Sequence, residues 1–178
     1  MVQYICEMSS VLGTISIASD GESITGLWLH NQKYFASTLE QKNIIQANHL
    51  PIFIKAKEWL TIYLNGENPD FSLPLSPKGS QFRHSVWKIL CQIPYGELTT
   101  YGDITKQLQS EGKKASAQAV GGAVGHNPIS IIIPCHRVVG SNGSLTGYAV
   151  GINKKIELLK LEGISIDHLF IPKIGTAL

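Results

Sequence analysis

The chain has 178 residues, of which 43% are hydrophobic and 16% charged, and this composition is typical of a globular protein with one or two compact domains. The formal net charge of +2 does not by itself indicate a nucleic-acid-binding protein, so any basic surface must be local. The longest apolar run is too short to cross a membrane, and the first ten residues lack the basic and apolar regions of a signal peptide.

The strands are predicted at the start of the chain, in residues 1–30. "VQYICEM" alternates apolar and polar side chains, and "VLGTISIAS" and "SITGLWLH" follow it, with turn signals between the three segments. This pattern is typical of a three-stranded antiparallel sheet. Residues 51–63 change to a helical period. The Pro/Gly/Ser-rich connector "LPLSPKGS" then predicts a boundary between a domain at 1–76 and a domain at 77–178.

Three consecutive helices are predicted between the connector and residue 125. They are "SQFRHSVWKILCQI", a helix that begins near Thr99 or Thr100, and the short "SAQAVGGAVG". The last two are separated by a polar turn, which is the spacing of a helix-turn-helix. Gly121 and Gly122 each cost the third helix roughly 1 kcal/mol relative to alanine. Two explanations stay open at this point, namely close approach to another backbone or to DNA, and tight helix packing.

The cysteines are three in number, Cys6, Cys91 and Cys135, at irregular spacings. An odd number at such spacings favours a reducing compartment, and therefore the cytoplasm, over a disulfide framework. Cys6 and Cys91 lie in apolar patterns that favour core positions. Neither C-x-x-C nor H-x-x-x-H spacing occurs in the sequence, so a zinc site is not favoured.

Cys135 stands apart because His136 follows it directly, after the apolar run "ISIII". That run predicts a buried strand, and "INKKIELLKLEG" predicts a last helix with Gly163 as its cap. Adjacent side chains of a strand point to opposite faces, so His136 can reach the thiol only if the chain turns at Pro134. From these residues alone, a nucleophilic thiol and a buried structural thiol remain alternatives.

The motif "IPCHRVVG", with "AVGGAVGHNP" before it and "GSLTGYA" after it, closely resembles the methylated-DNA–protein-cysteine methyltransferases. The resemblance runs from about Phe82 to Gly163. It implies an α+β protein, with a ribonuclease H-like N-terminal domain (a small three-stranded antiparallel sheet plus a helix) and a mostly helical, winged helix-turn-helix C-terminal domain.

The implied activity is DNA repair by irreversible transfer of an alkyl group from O6 of guanine, with O4 of thymine as a further candidate, to a cysteine that is used once. The implied partner is double-stranded DNA, bound through the minor groove by a monomer that flips the damaged base out of the duplex. No cofactor and no metal are expected. The alternatives kept open are a non-repairing sensor of alkylated DNA, in which the cysteine is commonly replaced by tryptophan, and a helix-turn-helix regulator with a reactive cysteine.

The resemblance also implies roles for particular residues. Cys135 is the alkyl acceptor, His136 takes the thiol proton through a water, and Glu162 orients His136, in the manner of a catalytic triad. Tyr101 helps to rotate the target nucleotide and donates a proton to guanine, and Asn127 ties the recognition helix to the active-site loop. The implied contacts to DNA or to the base come from Gln118, Ala119, Gly122, Val124, Val138, Tyr148 and Ala149.

Two positions depart from the family pattern. Gln118 stands where an arginine often fills the gap left by the flipped base, and "GYAVG" stands where "GYAGG" is expected. Gln118 keeps the ability to form hydrogen bonds but lacks the charge. Val150 adds a branched side chain beside the implied pocket. The transfer chemistry is expected to survive both changes, whereas the affinity for DNA and the range of alkyl groups are expected to differ.

Overall fold

The computed structural model describes residues 2–40 and 42–172. Within those ranges, no helix is both long and apolar enough to span a bilayer. The chain divides into two compact units, the first formed by the residues up to Lys78 together with Pro128–Ser130, the second by Gly79–Asn127 and the described residues from Ile131 onward.

The first unit is built on a sheet whose strands lie in the order β3-β2-β1-β4. β1 (Gln3–Ser10), β2 (Gly13–Ser19) and β3 (Ile24–Leu29) form the predicted antiparallel meander. A fourth strand, β4 (Ile44–Gln46), pairs parallel to β1 and was not predicted. It has only three residues, all of them exposed, so it carries no alternating pattern that could be recognised.

One helix, α1 (Pro51–Leu64), packs against β1 and β2. It begins with proline in its first turn, where a missing N–H is not needed. Its buried residues repeat at helical spacing and meet apolar side chains of the sheet. Pro128–Ser130 lies beside β3, since Leu27 and Pro128 share a hydrogen bond of 2.8 Å and Ser130 donates to the Leu27 carbonyl.

The second unit begins with three helices, α2 (Gln81–Leu90), α3 (Tyr101–Ser110) and α4 (Ala117–Gly125), which contact one another. Each helix starts with a hydroxyl residue whose side chain accepts a hydrogen bond from the backbone N–H three residues later. Such caps satisfy donors that the first turn leaves unpaired. The N-caps are Ser80, Thr100 and Ser116. The predicted helix-turn-helix spacing is therefore present as α3 and α4.

A small parallel pairing joins the two halves of this unit, between β5 (Thr99–Thr100) and β6 (Val138–Val139). The chain then forms a long loop and the last helix, α5 (Ile152–Leu161), which ends at Glu162 and the left-handed Gly163. The predicted α+β class, with an N-terminal sheet and a helical C-terminal part, is confirmed.

The predicted strand before Cys135 is wrong. Residues 129–133 are buried except for the half-buried Ile132, but beyond one isolated bridge at Ile129 they form turns. Ile131 has φ 71°, a conformation that a β-branched residue rarely adopts and that no strand contains. Burial of the run comes from the surrounding core, so its apolar character gave no information about its backbone.

Candidate active site

Cys135 opens a short 3-10 helix, Cys135–Arg137, immediately after Pro134. The turn that the sequence requires for His136 to approach the thiol is therefore present. The Cys135 side chain is only 3% exposed. Asn127 donates one amide hydrogen bond to Sγ at 3.1 Å and another to the carbonyl of Ile133 at 2.8 Å. One side chain thus links the end of α4 to the segment that holds the thiol.

Burial raises the pKa of the Cys135 thiol to about 11, because a charged sulfur loses its hydration. The hydrogen bond from Asn127 and the charge of Lys155 act in the opposite direction and are too weak to offset the burial. The thiol is therefore protonated at neutral pH. Since only the thiolate is strongly nucleophilic, a reaction at Cys135 needs a neighbouring base.

His136 is a base of the required kind. Its ring is completely buried, and Nε2 lies 2.6 Å from Oε1 of Glu162. Burial lowers the pKa of His136, although the Glu162 carboxylate opposes that effect. The imidazole is therefore neutral at pH 7. With Nε2–H donating to the carboxylate, the remaining ring nitrogen, Nδ1, is a proton acceptor.

Arg137 fixes the same carboxylate from a second direction. Its Nε and Nη2 donate to the two oxygens of Glu162 at 2.8 and 3.0 Å, and its Nη1 donates to the carbonyl of Ile93 at 2.7 Å. The backbone N–H of Gly96 also donates to Glu162. A paired geometry of this kind holds a carboxylate rigidly and compensates its buried charge. Arg137 therefore pairs with Glu162 inside the second unit.

Lys155 is a member of this cluster that the sequence analysis missed. It is fully buried, and its ammonium group donates to the carbonyls of Val138 at 2.5 Å and Thr146 at 2.8 Å. Burial lowers the pKa of Lys155 to about 8, whereas the nearby Cys135 acts to raise it. A signal was present, since Lys155 lies three and seven residues before Leu158 and Glu162, on the buried face of α5.

Two tyrosines flank the thiol. The Tyr101 hydroxyl donates to the carbonyl of Thr146 at 3.0 Å. Tyr148 is completely buried, its ring lies edge-on to that of His136 with centroids 6.3 Å apart, and its hydroxyl has no hydrogen-bond partner among the described residues. Burial raises the pKa of both tyrosines, and a charge on Cys135 would raise it further. Both hydroxyls therefore keep their protons at neutral pH.

An open cleft of about 740 Å³ lies between α4, the start of α3 and the loop that follows β6. A Cβ added at Gly121 or Gly122 would meet no atom within 4 Å. Tight helix packing therefore does not explain these glycines. The lining residues are Tyr101, Gly102, Ala117, Gln118, Gly121, Gly122, Gly140, Ser141, Asn142, Ser144, Thr146 and Gly147.

The residues predicted to contact DNA divide into two groups. Gln118, Ala119 and Gly122 are exposed on α4, and two of them line the cleft. Val124, in contrast, is only 1% exposed and belongs to the core face of α4, so its predicted contact with DNA does not fit the structure.

The residues predicted to contact the base are less exposed than the first of the two groups on α4. Tyr148 is buried and Ala149 is half-buried. The carbonyl of Val138 accepts a hydrogen bond from Lys155, and its second lone pair could still accept another.

The two remaining cysteines differ from each other. Cys6 is completely buried in the first unit, as predicted. The predicted core position of Cys91 is wrong: it caps the C-terminus of α2 and is exposed, because the helix ends one residue before it. In the part of the chain that the structure describes, no three His, Cys, Asp or Glu side chains are grouped so that they could hold a metal ion.

Two family profiles match the chain. Residues 4–77 match "6-O-methylguanine DNA methyltransferase, ribonuclease-like domain", and residues 81–164 match "6-O-methylguanine DNA methyltransferase, DNA binding domain". The second match contains the thiol, His136 and Glu162.

Similar proteins cover nearly the whole chain. A methylated-DNA–protein-cysteine methyltransferase of Haemophilus influenzae is 41% identical over 90% of this chain and 87% of its own length. One of Methanosarcina acetivorans is 42% identical over 90% and 98%. Among solved structures, Mycobacterium tuberculosis OGT in complex with DNA has a TM-score of 0.77 and 39% identity, with 91% of this chain and 92% of that chain covered.

Proposed function

The chain belongs to the methylated-DNA–protein-cysteine methyltransferase family and is therefore a DNA-repair methyltransferase, and we propose that it transfers the alkyl group from O6 of guanine to Sγ of Cys135. In this step the Sγ–carbon bond forms while the carbon–O6 bond breaks. The thiol proton leaves with His136 as its acceptor, and guanine regains a proton on its ring. Alkylated O4 of thymine offers the same leaving chemistry and is the second substrate in this proposal.

The observation that carries the proposal is the buried pair of His136 and Glu162 beside a protonated thiol. A thiol with a raised pKa is inert until a base removes its proton. A neutral imidazole, held by a carboxylate that Arg137 fixes in turn, suits that task. The proton passes from Cys135 through a water to Nδ1 of His136.

Lys155 supports the same step. Its buried ammonium group is a positive charge that favours the thiolate, and it can stabilise the negative charge as that charge forms. It also holds the carbonyl of Thr146 together with the Tyr101 hydroxyl. Tyr101, which is protonated at neutral pH, donates its proton to the guanine ring in this proposal, and the proton that His136 accepted from the thiol returns to Tyr101 through solvent.

The transfer happens once for each molecule. The product is a thioether, which has no labile bond comparable to that of an acyl-enzyme. Cys135 is therefore consumed, and the protein acts stoichiometrically. This feature separates the proposal from a thiol hydrolase, which would turn over.

In this proposal the protein binds DNA as a monomer. The exposed face of α4 enters the minor groove. Gly121 and Gly122 leave room for a DNA backbone there. Gln118 occupies the space of the flipped base, whose extrusion costs a few kcal/mol. Lys113 and Lys114, both exposed in the turn before α4, contact phosphates without reading sequence. The cytoplasm is the expected compartment for such a repair protein with unpaired cysteines.

Intact mass spectrometry after mixing with a duplex that contains O6-methylguanine tests the proposal. We expect a mass increase equal to one hydrogen replaced by one methyl group, mapped to Cys135 and absent in Cys135→Ser. Modification of Cys6 or Cys91, or more than one methyl group removed per molecule, would contradict it. A duplex bound without any transfer would indicate a sensor of alkylated DNA instead.

The relay is tested by kinetics. Glu162→Gln and His136→Ala should slow the transfer strongly and leave duplex binding nearly unchanged, because the thiolate sets the rate and phosphate contacts set the affinity. The rate in the native protein should fall only at pH values below the ordinary pKa of histidine, since burial lowers the pKa of His136. A wild-type rate in either variant would refute the relay.

A further inference from the structure

One wall of the cleft is a loop without regular structure, residues 140–147. Six of its eight residues line the cleft. A loop of this kind needs outside contacts to keep one shape. On the cleft side, Lys155 and the Tyr101 hydroxyl both donate to the carbonyl of Thr146. Together with a longer contact of 3.5 Å from the Tyr101 hydroxyl to the carbonyl of Gly147, these contacts hold only the end of the loop.

The other side of the loop is held by the segment that follows α5, residues 164–171. Leu145 donates its N–H to the carbonyl of Phe170 at 2.9 Å, and Phe170 donates its N–H to the carbonyl of Gly143 at 3.1 Å. These bonds form a parallel bridge between Ser144 and Phe170. The segment therefore adds strand-like support behind the cleft wall.

Apolar packing strengthens the same contact. Leu145, only 2% exposed, joins Val139 and Leu159 in a buried cluster. The half-buried side chains that the segment contributes to this cluster are Ile164, Ile166 and Leu169. The loop and the segment consequently share one small core.

Gly143 lies where the loop and the segment approach each other closely. Its φ is 87°, and a Cβ at this position would lie 2.7 Å from the carbonyl oxygen of His168. Only glycine fits both the backbone conformation and the distance. Moreover, the segment begins directly after Glu162 and Gly163, so the carboxylate of the relay and the cleft wall are joined by one short stretch of chain.

We infer that residues 164–171 are a positioning element that sets the width of the alkyl pocket, and thereby the discrimination between small and bulky O6 substituents. This inference rests on the proposed alkyl transfer. When the segment is released, the loop can move away from Tyr101 and Lys155, the two residues that hold Thr146 and interact with Cys135. A methyl group, which needs close positioning, then reacts more slowly, whereas a bulky group gains space.

The test compares Phe170→Pro with Phe170→Ala. Both variants lose the same side chain, which is 45% exposed, but only proline removes the N–H that bonds Gly143. Rate constants are measured for O6-methylguanine and O6-benzylguanine placed in the same duplex. We expect Phe170→Pro to shift the benzyl-to-methyl ratio at least about 5-fold and Phe170→Ala to shift it less than about 2-fold.

Thermal melting of each variant fixes a temperature at which both are folded. Leu169→Ala is the second variant. It keeps both backbone hydrogen bonds and reduces the apolar packing between the segment and the loop, and it tests the inference if Phe170→Pro does not fold. It should shift the ratio in the same direction. Equal ratios in wild type, Leu169→Ala and Phe170→Pro would overturn the inference. Absence of transfer in the wild type would instead refute the proposed function.

Discussion

Replacing Gly122 with alanine should make the protein more stable and a poorer repair protein at the same time. The residue lies inside α4, and an added Cβ would meet no atom within 4 Å. Alanine therefore brings its higher helix propensity without a clash, which stabilises the helix by about 1 kcal/mol. If Gly122 allows the duplex to approach α4 closely, the added methyl group lies in the path of the duplex.

The two magnitudes can be worked out separately. A gain of about 1 kcal/mol raises the melting temperature by roughly 2–8 °C, the larger value applying if the second unit unfolds by itself. A methyl group forced into a close contact costs roughly 1–3 kcal/mol, which corresponds to about a 5- to 160-fold loss of duplex affinity. Gly121→Ala should behave in the same way, because its surroundings are equally open.

The assay has two substrates. Repair of O6-methylguanine in a duplex should slow, whereas transfer from the free alkylated base should stay within about 2-fold, since the free base needs no helix in a groove. Gly13→Ala is the control: a Cβ there also meets nothing within 4 Å, but φ is 103°. That variant should lose stability and keep duplex repair.

Either of two results would refute the reasoning. A variant Gly122→Ala that is stabilised and repairs duplex DNA at the wild-type rate would show that DNA does not approach α4 at this glycine. A variant that is destabilised would show that the helix needs glycine for its own packing, against the open space around the residue.

Three other outcomes are expected. Lys155→Met should slow the transfer about 10- to 100-fold by removing a buried charge that favours the thiolate. Lys154→Met, which alters a partly exposed ion pair with Glu157, should not slow it. Stopped-flow rates on the free base, measured at a temperature at which both variants are folded, decide this. Gln118→Arg should tighten duplex binding and steepen its salt dependence by a slope of up to about 1, and titrations at several salt concentrations would contradict this if the slope is unchanged. Iodoacetamide at pH 7 should label the exposed Cys91 before the buried Cys135; peptide mapping that finds the reverse order would mean that the Cys135 thiol is already ionised.

Local signals predicted the helices of the second unit well. The caps Ser80, Thr100 and Ser116 act through backbone groups only three residues away, so a short window of sequence contains the whole cause. The strands of the meander likewise pair with the strand that precedes or follows them in the sequence. β4 is different, because its partner β1 lies some forty residues earlier in the chain and its own three residues carry no pattern.

The segment before Cys135 shows why an apolar run is ambiguous. Four of the residues 129–133 are buried and Ile132 is half-buried, and nearly all of their side chains are apolar, so neither a period of 2 nor one of 3.6 can appear in them. The positive φ of Ile131 is imposed by the surrounding fold and runs against the preference of the residue itself. No local rule predicts such a conformation.

The site itself could be assembled from the sequence only through the family resemblance. Glu162 follows His136 by 26 residues, and an acidic residue at a helix end is more often solvated than catalytic. Lys155 was within reach of a pattern argument, since a lysine on the apolar face of α5 must find partners for its charge. Those partners are backbone carbonyls, which no side-chain motif records.

The pKa of the Cys135 thiol could not be predicted from the sequence, because it depends on the burial of the side chain. A reactive cysteine suggests a lowered pKa, yet burial raises the pKa of Cys135 to about 11. If the thiol is used once, as proposed above, an ionised thiolate would be open to any electrophile, and each chance reaction would consume a molecule. A protonated, 3% exposed thiol avoids that loss. Asn127, His136 and Lys155 can then supply the thiolate at the moment when a substrate fills the cleft.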